Sequence, residues 1–353
     1  MMRNGYSILT LALCALLVTH NTHATNTTYE YASTATASEV PFPGSSWLAY
    51  ENNISTFSYN DVTYLSGYDA MLKGDPGANP VRNFNAWINS FIFSPETAEQ
   101  FVDYFGIEWG YYALSYCRNF VAGVFVYYVT SAIFHYFCYV HPQSEEIFKD
   151  RLRPETSVIL DQIALAQSSL FLYVMLPVFS DWLVEEGYTM CVYTIDEMGG
   201  VLPYLFFTVV YFACVEIGIY WMHRTLHTNK WMYKHIHLLH HKYNQAHTLT
   251  PWASIAFNPL DGILQACPYV ICMLFVPCHY LTHICMVFFT AIWSTYIHDS
   301  MDFNIDPIMG SKYHTVHHTH YMYNFGQIFT FCDAYWGTLR VPTEKTGIIK
   351  KKD

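Results

Sequence analysis

Charged residues make up only 13% of this 353-residue chain, and bases are scarcer than acids, with 17 Lys and Arg against 28 Asp and Glu. A net charge of -11 without a basic patch excludes a nucleic-acid binder, which has to neutralise phosphates. The ten cysteines include no CxxC pair, and Cys138, Cys214, Cys267, Cys272, Cys278 and Cys285 lie in or beside apolar runs. Thiols so placed are small buried hydrophobes, which argues against a disulfide framework. Apolar and aromatic side chains fill the space that charge leaves. Hydrophobic residues reach 52% and aromatics 18%, the balance of a multi-span membrane protein with rings at the bilayer interfaces and charge confined to loops.

Arg3, an apolar run from Ile8 to Val18 and the small-residue spacing of Thr22-His23-Ala24 identify residues 1–24 as a signal peptide, or else an uncleaved anchor. Asn26-Thr27-Thr28 and Asn53-Ile54-Ser55 are glycosylation acceptors if this part is luminal. Residues 25–110 are polar and rich in Tyr, Asn, Gly and Pro, with a turn at Asp75-Pro76-Gly77 and no obvious repeat; they are assigned no function.

The membrane domain is expected over residues 111–353. Phe120 to Val140 is long enough for a bilayer core of about 30 Å, which takes about 20 residues. Ile163 to Phe179 is shorter and contains Pro177. Val201 to Tyr220 is interrupted by Glu216, and Gly262 to Ile297 accommodates two short spans with Pro277-Cys278-His279 as the turn between them. Lys149, Arg151 and Arg153 lie between the first two spans, and Arg224, Lys230, Lys234 and Lys242 follow the third, whereas Asp181 to Glu197 carries acids and no Lys or Arg. The positive-inside rule therefore puts every histidine cluster and the C-terminus in the cytosol and the N-terminal region in the lumen. Lys350-Lys351-Lys352-Asp353 then fits an endoplasmic-reticulum retrieval signal.

Fourteen of the eighteen histidines fall between His223 and His320. His223 and His227 form an HxxxH group; His237, His240 and His241, and again His314, His317 and His318, form HxxHH groups. Residues three and four apart share a helix face, so each group offers two or three imidazoles to one point. On a continuous helix His223, His227, His237 and His241 lie within about 80° of one another, but fourteen residues span about 21 Å, too far for one bimetallic site. A break near Thr228-Asn229-Lys230 is therefore predicted, folding the second group onto the first. One structural zinc needs about four ligands and zinc has no redox chemistry, so eight ligands point to two ions and redox use points to iron. Lone histidines such as His135 and His279 read as satisfied core or interface residues.

In its motifs the chain resembles the fatty acid hydroxylase superfamily, and within it the plant-type sterol C5-desaturases. The likeness is strongest from Val215 to Pro342. Besides the histidine groups it rests on Glu216-Ile217-Gly218-Ile219-Tyr220-Trp221-Met222-His223-Arg224, Asn258-Pro259-Leu260-Asp261-Gly262-Ile263-Leu264-Gln265-Ala266 and Ile297-His298-Asp299. Tyr323-Asn324-Phe325-Gly326 and Gly337-Thr338-Leu339-Arg340 complete it. The resemblance implies an all-α membrane protein, with about four transmembrane helices under a cytosolic helical cap that holds a His-rich di-metal site. It carries the iron ligands onto His223, His227, His237, His240, His241, His314, His317 and His318, with His298 as a ninth. It further implies an endoplasmic-reticulum enzyme using two Fe ions, O2 and electrons from NAD(P)H through cytochrome b5 and its reductase to form the C5–C6 double bond of a delta-7 sterol.

Two positions depart from the pattern: relatives tend to carry histidine where this chain has Asn258, and often another at Asp302. Glu216, at the cytosolic end of its span, is read as orienting an imidazole or meeting the sterol hydroxyl, against the plainer reading of an acid paired within the bundle. Asp261, Asp299, Asp302 and Asp333 are candidates for orienting ligands. Competing functions are a sterol C4-methyl oxidase or a lipid hydroxylase of the same superfamily and, from another class, a non-catalytic sterol-binding or zinc-storage membrane protein.

Overall fold

The computed structural model describes residues 57–59, 62–64, 79–149, 152–245, 247–299 and 305–343. The signal segment, both glycosylation triplets, the Asp75 turn, Asp302 and the C-terminal lysines lie outside them. The protein is an all-α membrane protein, and among the described residues four helical segments are long and apolar enough to cross a bilayer: Pro95–Val140, Thr156–Glu185, Val201–Thr228 and Tyr280–Ile297. The chain divides into two units, one made of residues 1–119 with 177–189 and the other of 120–176 with 190–353.

In the first unit strands β1 (Phe57–Tyr59) and β2 (Val62–Tyr64) pair antiparallel. Helix α1 (Pro80–Ile92) starts where the Asn79 side chain accepts from Val81 N at 2.9 Å and Pro80 takes the first helical position, where no N–H is needed. Helix α2 (Pro95–His135) runs on as a π-helical turn to Val140 and is kinked at Gly106, whose φ of 75° suits a residue without a Cβ. Ala86, Ala98, Val102, Tyr111 and Leu114 form the core here. Among the described residues helix thus begins at Pro80, well inside the region read as polar and unassigned. The apolar stretch at Phe120 is the second half of a longer helix.

Helices α3 (Thr156–Tyr173) and α4 (Met175–Glu185) are separated at Val174. Pro177 explains the break, because it has no N–H to offer the Tyr173 carbonyl four residues back. In the second unit, α5 (Val201–Thr228) packs on α6 (Pro259–Met273), and α7 (Tyr280–Ile297) follows after a turn. Gly218 meets Pro268 so closely that an added Cβ would sit 2.7 Å from the proline Cβ, which keeps the two helices at small-residue distance. The α6–α7 hairpin forms as expected, but α6 has 15 residues, about 22 Å of helix, and falls short of a full span. Its returning end is tied down where β3 (Cys191–Val192) pairs parallel with β4 (Cys278–His279).

The lone histidines are satisfied within this frame. His135 Nδ1 accepts from Trp252 Nε1 at 3.3 Å, and His279 caps the start of α7. His283, which is buried, pairs through Nδ1 with the Tyr211 hydroxyl at 2.8 Å.

Candidate metal centre

The cap is built by interrupting helices. At the end of α5, Asn229 leaves the helical region (φ -84°, ψ 110°) and its side chain accepts from the N–H groups of Trp231 and Met232, starting a new helical turn in another direction. A π-turn, Tyr233–His237, and a 3-10 turn, His240–Lys242, follow. Both turns carry their histidines back onto His223 and His227, as helix spacing requires. Helix α8 (Ser311–His320) supplies the third group, and His298 caps the end of α7.

All nine histidines are buried, and they gather into two sets. One nitrogen from each of His223, His227, His237, His241 and His317 lies within 4.8 Å of the others; His240, His298, His314 and His318 form the second set on the same measure. Each HxxHH group therefore serves both sets. His237 and His241 face the first while His240 faces the second; His314 and His318 face the second while His317 faces the first. The sets adjoin, with the His241 and His318 ring centroids 4.5 Å apart.

The nitrogens within each set fit a bound cation. Nε2 atoms of His227, His237 and His241 form a closed triangle with edges of 2.9, 3.1 and 3.1 Å, and His314 Nε2 lies 3.0 Å from that of His298 and 3.1 Å from that of His318. Hydrogen bonds do not satisfy the triangle. Three contacts need three donated protons, and where the Asp261 carboxyl accepts, His237 holds its one proton at Nδ1, 2.8 Å from Asp261 Oδ2. Likewise, His223 and His317 turn Nδ1 to the carbonyls of Phe325 at 3.0 Å and Tyr323 at 2.8 Å, leaving Nε2 atoms that have no hydrogen-bond partner and point into the first set. At a metal–nitrogen distance of ~2.1 Å, ligands at right angles stand ~3.0 Å apart and tetrahedral ones ~3.4 Å. The observed edges match right angles, and so a higher coordination number than four.

Burial, reinforced by neighbouring rings, holds His237, His240, His241, His314, His317 and His318 well below the ordinary histidine range. Burial also pulls His298 down to about 4, with the Ser294 carbonyl opposing. Near pH 7 the rings are neutral, the form that binds metal. The Asp261 carboxyl is pushed up to about 8 by burial, with the Gln265 amide opposing.

The remaining acids act at different ranges. Asp261 touches a ring directly, taking His237 at one oxygen and Gln265 Nε2, 2.8 Å away, at the other. Asp333, on the short helix α9 (Phe331–Tyr335), accepts from Phe325 N, Gly326 N and Thr338 Oγ1 at 2.7–2.8 Å, and so acts through the loop whose carbonyl fixes His223. Glu216 Oε1 accepts from the successive N–H groups of Gln327, Ile328 and Phe329 at 3.2, 2.8 and 2.9 Å, the pairing within the bundle that the plainer reading expects. Asp299 is buried next to His298 in sequence. Asn258 caps α6 through Leu260 N at 3.0 Å.

Asn324 is a positioning residue that sequence reasoning leaves without a role. It is fully buried at φ 58°, and its side chain binds Tyr313 O, Arg340 O and Arg340 N, tying α8 to the segment after Gly337. The signal is an asparagine beside Phe325-Gly326, since Asn tolerates the left-handed region better than other non-glycine residues.

Four apolar spans and nine imidazoles gathered in two sets, each of which could hold a metal ion, fit a multi-pass membrane protein with a histidine-rich cluster. The fatty acid hydroxylase family matches residues 208–338, which hold all nine histidines. The Delta(7)-sterol-C5(6)-desaturase of Nicotiana tabacum is 40% identical over 228 residues, 65% of this chain and 83% of that protein. A Delta(7)-sterol 5(6)-desaturase of Gibberella zeae is 31% identical over 310 residues, 82% of each chain, and the lathosterol oxidase of Rattus norvegicus is 30% identical over 231 residues, 63% and 73%. No solved structure matches. The chain belongs to the fatty acid hydroxylase family, and it is an oxidoreductase.

Proposed function

We propose that this chain is a sterol C5-desaturase that uses two irons held by His223, His227, His237, His241 and His317 on one side and His240, His298, His314 and His318 on the other. The observation that carries the metal assignment is the near-right-angle spacing of 2.9–3.1 Å between three nitrogen pairs of the first set and two of the second, which suits iron better than tetrahedral zinc. The names of the relatives carry the substrate assignment.

Bound irons supply reduction of O2 and removal of hydrogen from an unactivated carbon. Overall, a delta-7 sterol, O2, two electrons and two protons give the delta-5,7 sterol and two waters. The protein's contribution is positional. The Phe325 and Tyr323 carbonyls and Asp261 fix which nitrogen of His223, His317 and His237 carries the proton, and burial keeps water from the rings. Electrons come from NAD(P)H through a separate cytochrome b5 and its reductase. The enzyme resides in the endoplasmic-reticulum membrane with the site and C-terminus cytosolic, an orientation resting on the distribution of Lys and Arg between the loops.

Expression in a yeast lacking its own C5-desaturase tests the reading. Mass spectrometry of its sterols is expected to show delta-5,7 product replacing delta-7 precursor, and unchanged delta-7 sterol in cells with abundant membrane-integrated protein defeats it. Metal analysis of the purified chain is expected to give two irons; stable zinc without turnover favours a storage or sterol-binding protein instead. Asp261→Asn replaces the carboxyl group paired with His237 Nδ1 by an amide. It is expected to weaken metal retention about 10- to 100-fold in a chelator challenge, and unchanged retention would show that Asp261 does not orient His237.

A further inference from the structure

Helix α1 is built inside out for a water-exposed helix. Its buried face carries Arg82, Asn85 and Asn89 beside Val81 and Ala86, while Trp87, Phe91 and Ile92 are 52%, 70% and 42% exposed. The outward rings touch one another: Trp87 meets Phe91 edge-on at 4.8 Å and Phe84 at 5.8 Å. The opening turns of α2 continue the pattern, with Tyr104, Phe105 and Trp109 exposed. A surface helix in water turns its apolar stripe inward, so this arrangement requires an apolar covering.

The inward face shows at what level the helix sits. Arg118 Nη1 donates to Asn89 Oδ1 at 3.0 Å and Nη2 pairs with Asp181 Oδ2 at 2.7 Å; Asn85 Nδ2 donates to Glu185 Oε1 at 2.8 Å. Asn79 Nδ2 reaches Val184 O at 2.9 Å, and Arg82 pairs with Glu108 while its guanidinium lies 4.4 Å over the Tyr111 ring. In sequence, Arg118 lies just before the apolar stretch beginning at Phe120, and Asp181 just after the one ending at Phe179. This buried ion pair marks where the hydrocarbon-crossing parts of α2 and α4 stop, and α1 is hydrogen-bonded across it. The aromatic face thus belongs to a helix bonded to the ion pair that bounds both apolar stretches in sequence, the level where Trp and other amphipathic rings concentrate.

We propose that α1 and the first turns of α2 form an interfacial anchor whose aromatic face lies in the bilayer surface, and that its partner is a zwitterionic glycerolipid layer. Charge selects the lipid class. Arg82 and Arg118, the basic residues of the described part of this unit, are both buried in polar contacts, while Glu96, Glu99, Asp103 and Glu108 offer nothing to an anionic headgroup. The anchor is independent of the chemistry at the histidine site.

The test uses the full chain in phosphatidylcholine vesicles with the photocrosslinker p-benzoylphenylalanine replacing Trp87, Phe91 or, as an inward control, Asn89. Phosphatidylcholine adducts are expected at positions 87 and 91 and not at 89, with no rise in yield when phosphatidylserine is added. Crosslinks from 87 and 91 to peptides of residues 1–78, or to a second copy of the chain, overturn the proposal, as do adducts confined to phosphatidylserine. Native fluorescence supplies a check that no bulky label perturbs. In vesicles of bromine-labelled phosphatidylcholine, Trp87→Phe is expected to remove a quenched share of roughly one of the nine tryptophans' emission; an unquenched Trp87 also refutes the anchor.

Discussion

Replacing His317 by alanine is expected to abolish sterol conversion, by at least about 100-fold, since even residues that merely orient a ligand cost 10- to 100-fold. His317 is fully buried, its Nδ1 is fixed by the Tyr323 carbonyl at 2.8 Å, and its Nε2 has no hydrogen-bond partner and points into the first set. Alanine removes one of five nitrogens from that set and none from the set around His314. Iron content is therefore expected to fall from two per chain towards one, with the protein still inserted in the membrane. His283→Ala makes the contrast. It deletes an equally buried imidazole that pairs with Tyr211, so it is expected to lower thermal stability by about 1–3 kcal/mol while both irons stay bound. Sterol conversion at the parental rate in the His317 variant removes this residue from the ligand set, and equal iron loss in both variants makes the effect one of folding.

The difference between these two histidines is legible in the sequence. His317 belongs to a group with metal-ligand spacing, whereas His283 stands alone in an apolar run. The break at Asn229 is legible too, because helix geometry forbids residues fourteen apart from meeting. The division of each HxxHH group between two sets is not: in both groups the i and i+4 rings share one set and the i+3 ring joins the other, across π and 3-10 turns in the first group and within a regular α-helix in the second. Helix α1 is hidden as well. Its Asn and Arg residues point inward, so equating polar composition with loop passes over it. His298 is indicated only by family resemblance, since its partner His314 lies 16 residues away with no shared periodicity.

Long-range backbone contacts are the least legible of all, as Glu216 shows. From the sequence it is an acid at the end of a span, and its candidate partners are rings on its own helix. Its actual partners are N–H groups 111 to 113 residues downstream, on a loop with no local pattern to announce them. That loop matters because its preceding residues hold two rings of the first set: the Tyr323 carbonyl takes the His317 proton and the Phe325 carbonyl takes that of His223. Glu216 holds one end and Asp333 the other. Between them Gly326 passes so close that an added Cβ would come within 2.3 Å of Phe329 O.

Glu216→Ala strands three N–H groups beside a bilayer-crossing helix. At about 1–3 kcal/mol for each buried donor left without an acceptor, the variant is expected to lose several kcal/mol of stability unless the loop moves. If it moves, it withdraws the carbonyls that orient His223 and His317. Either way iron is expected to leave the first set before the second, and the unfolding temperature in detergent to fall. Glu216→Gln keeps an acceptor oxygen at the same reach while removing the charge, so it is expected to recover most of the stability and part of the iron. The residue's work is thus to accept hydrogen bonds, and the order of the variants tests that. Alanine behaving like the parent in both iron content and thermal stability would show that the loop holds its shape without Glu216. A glutamine variant no better than alanine would place the effect in the charge itself.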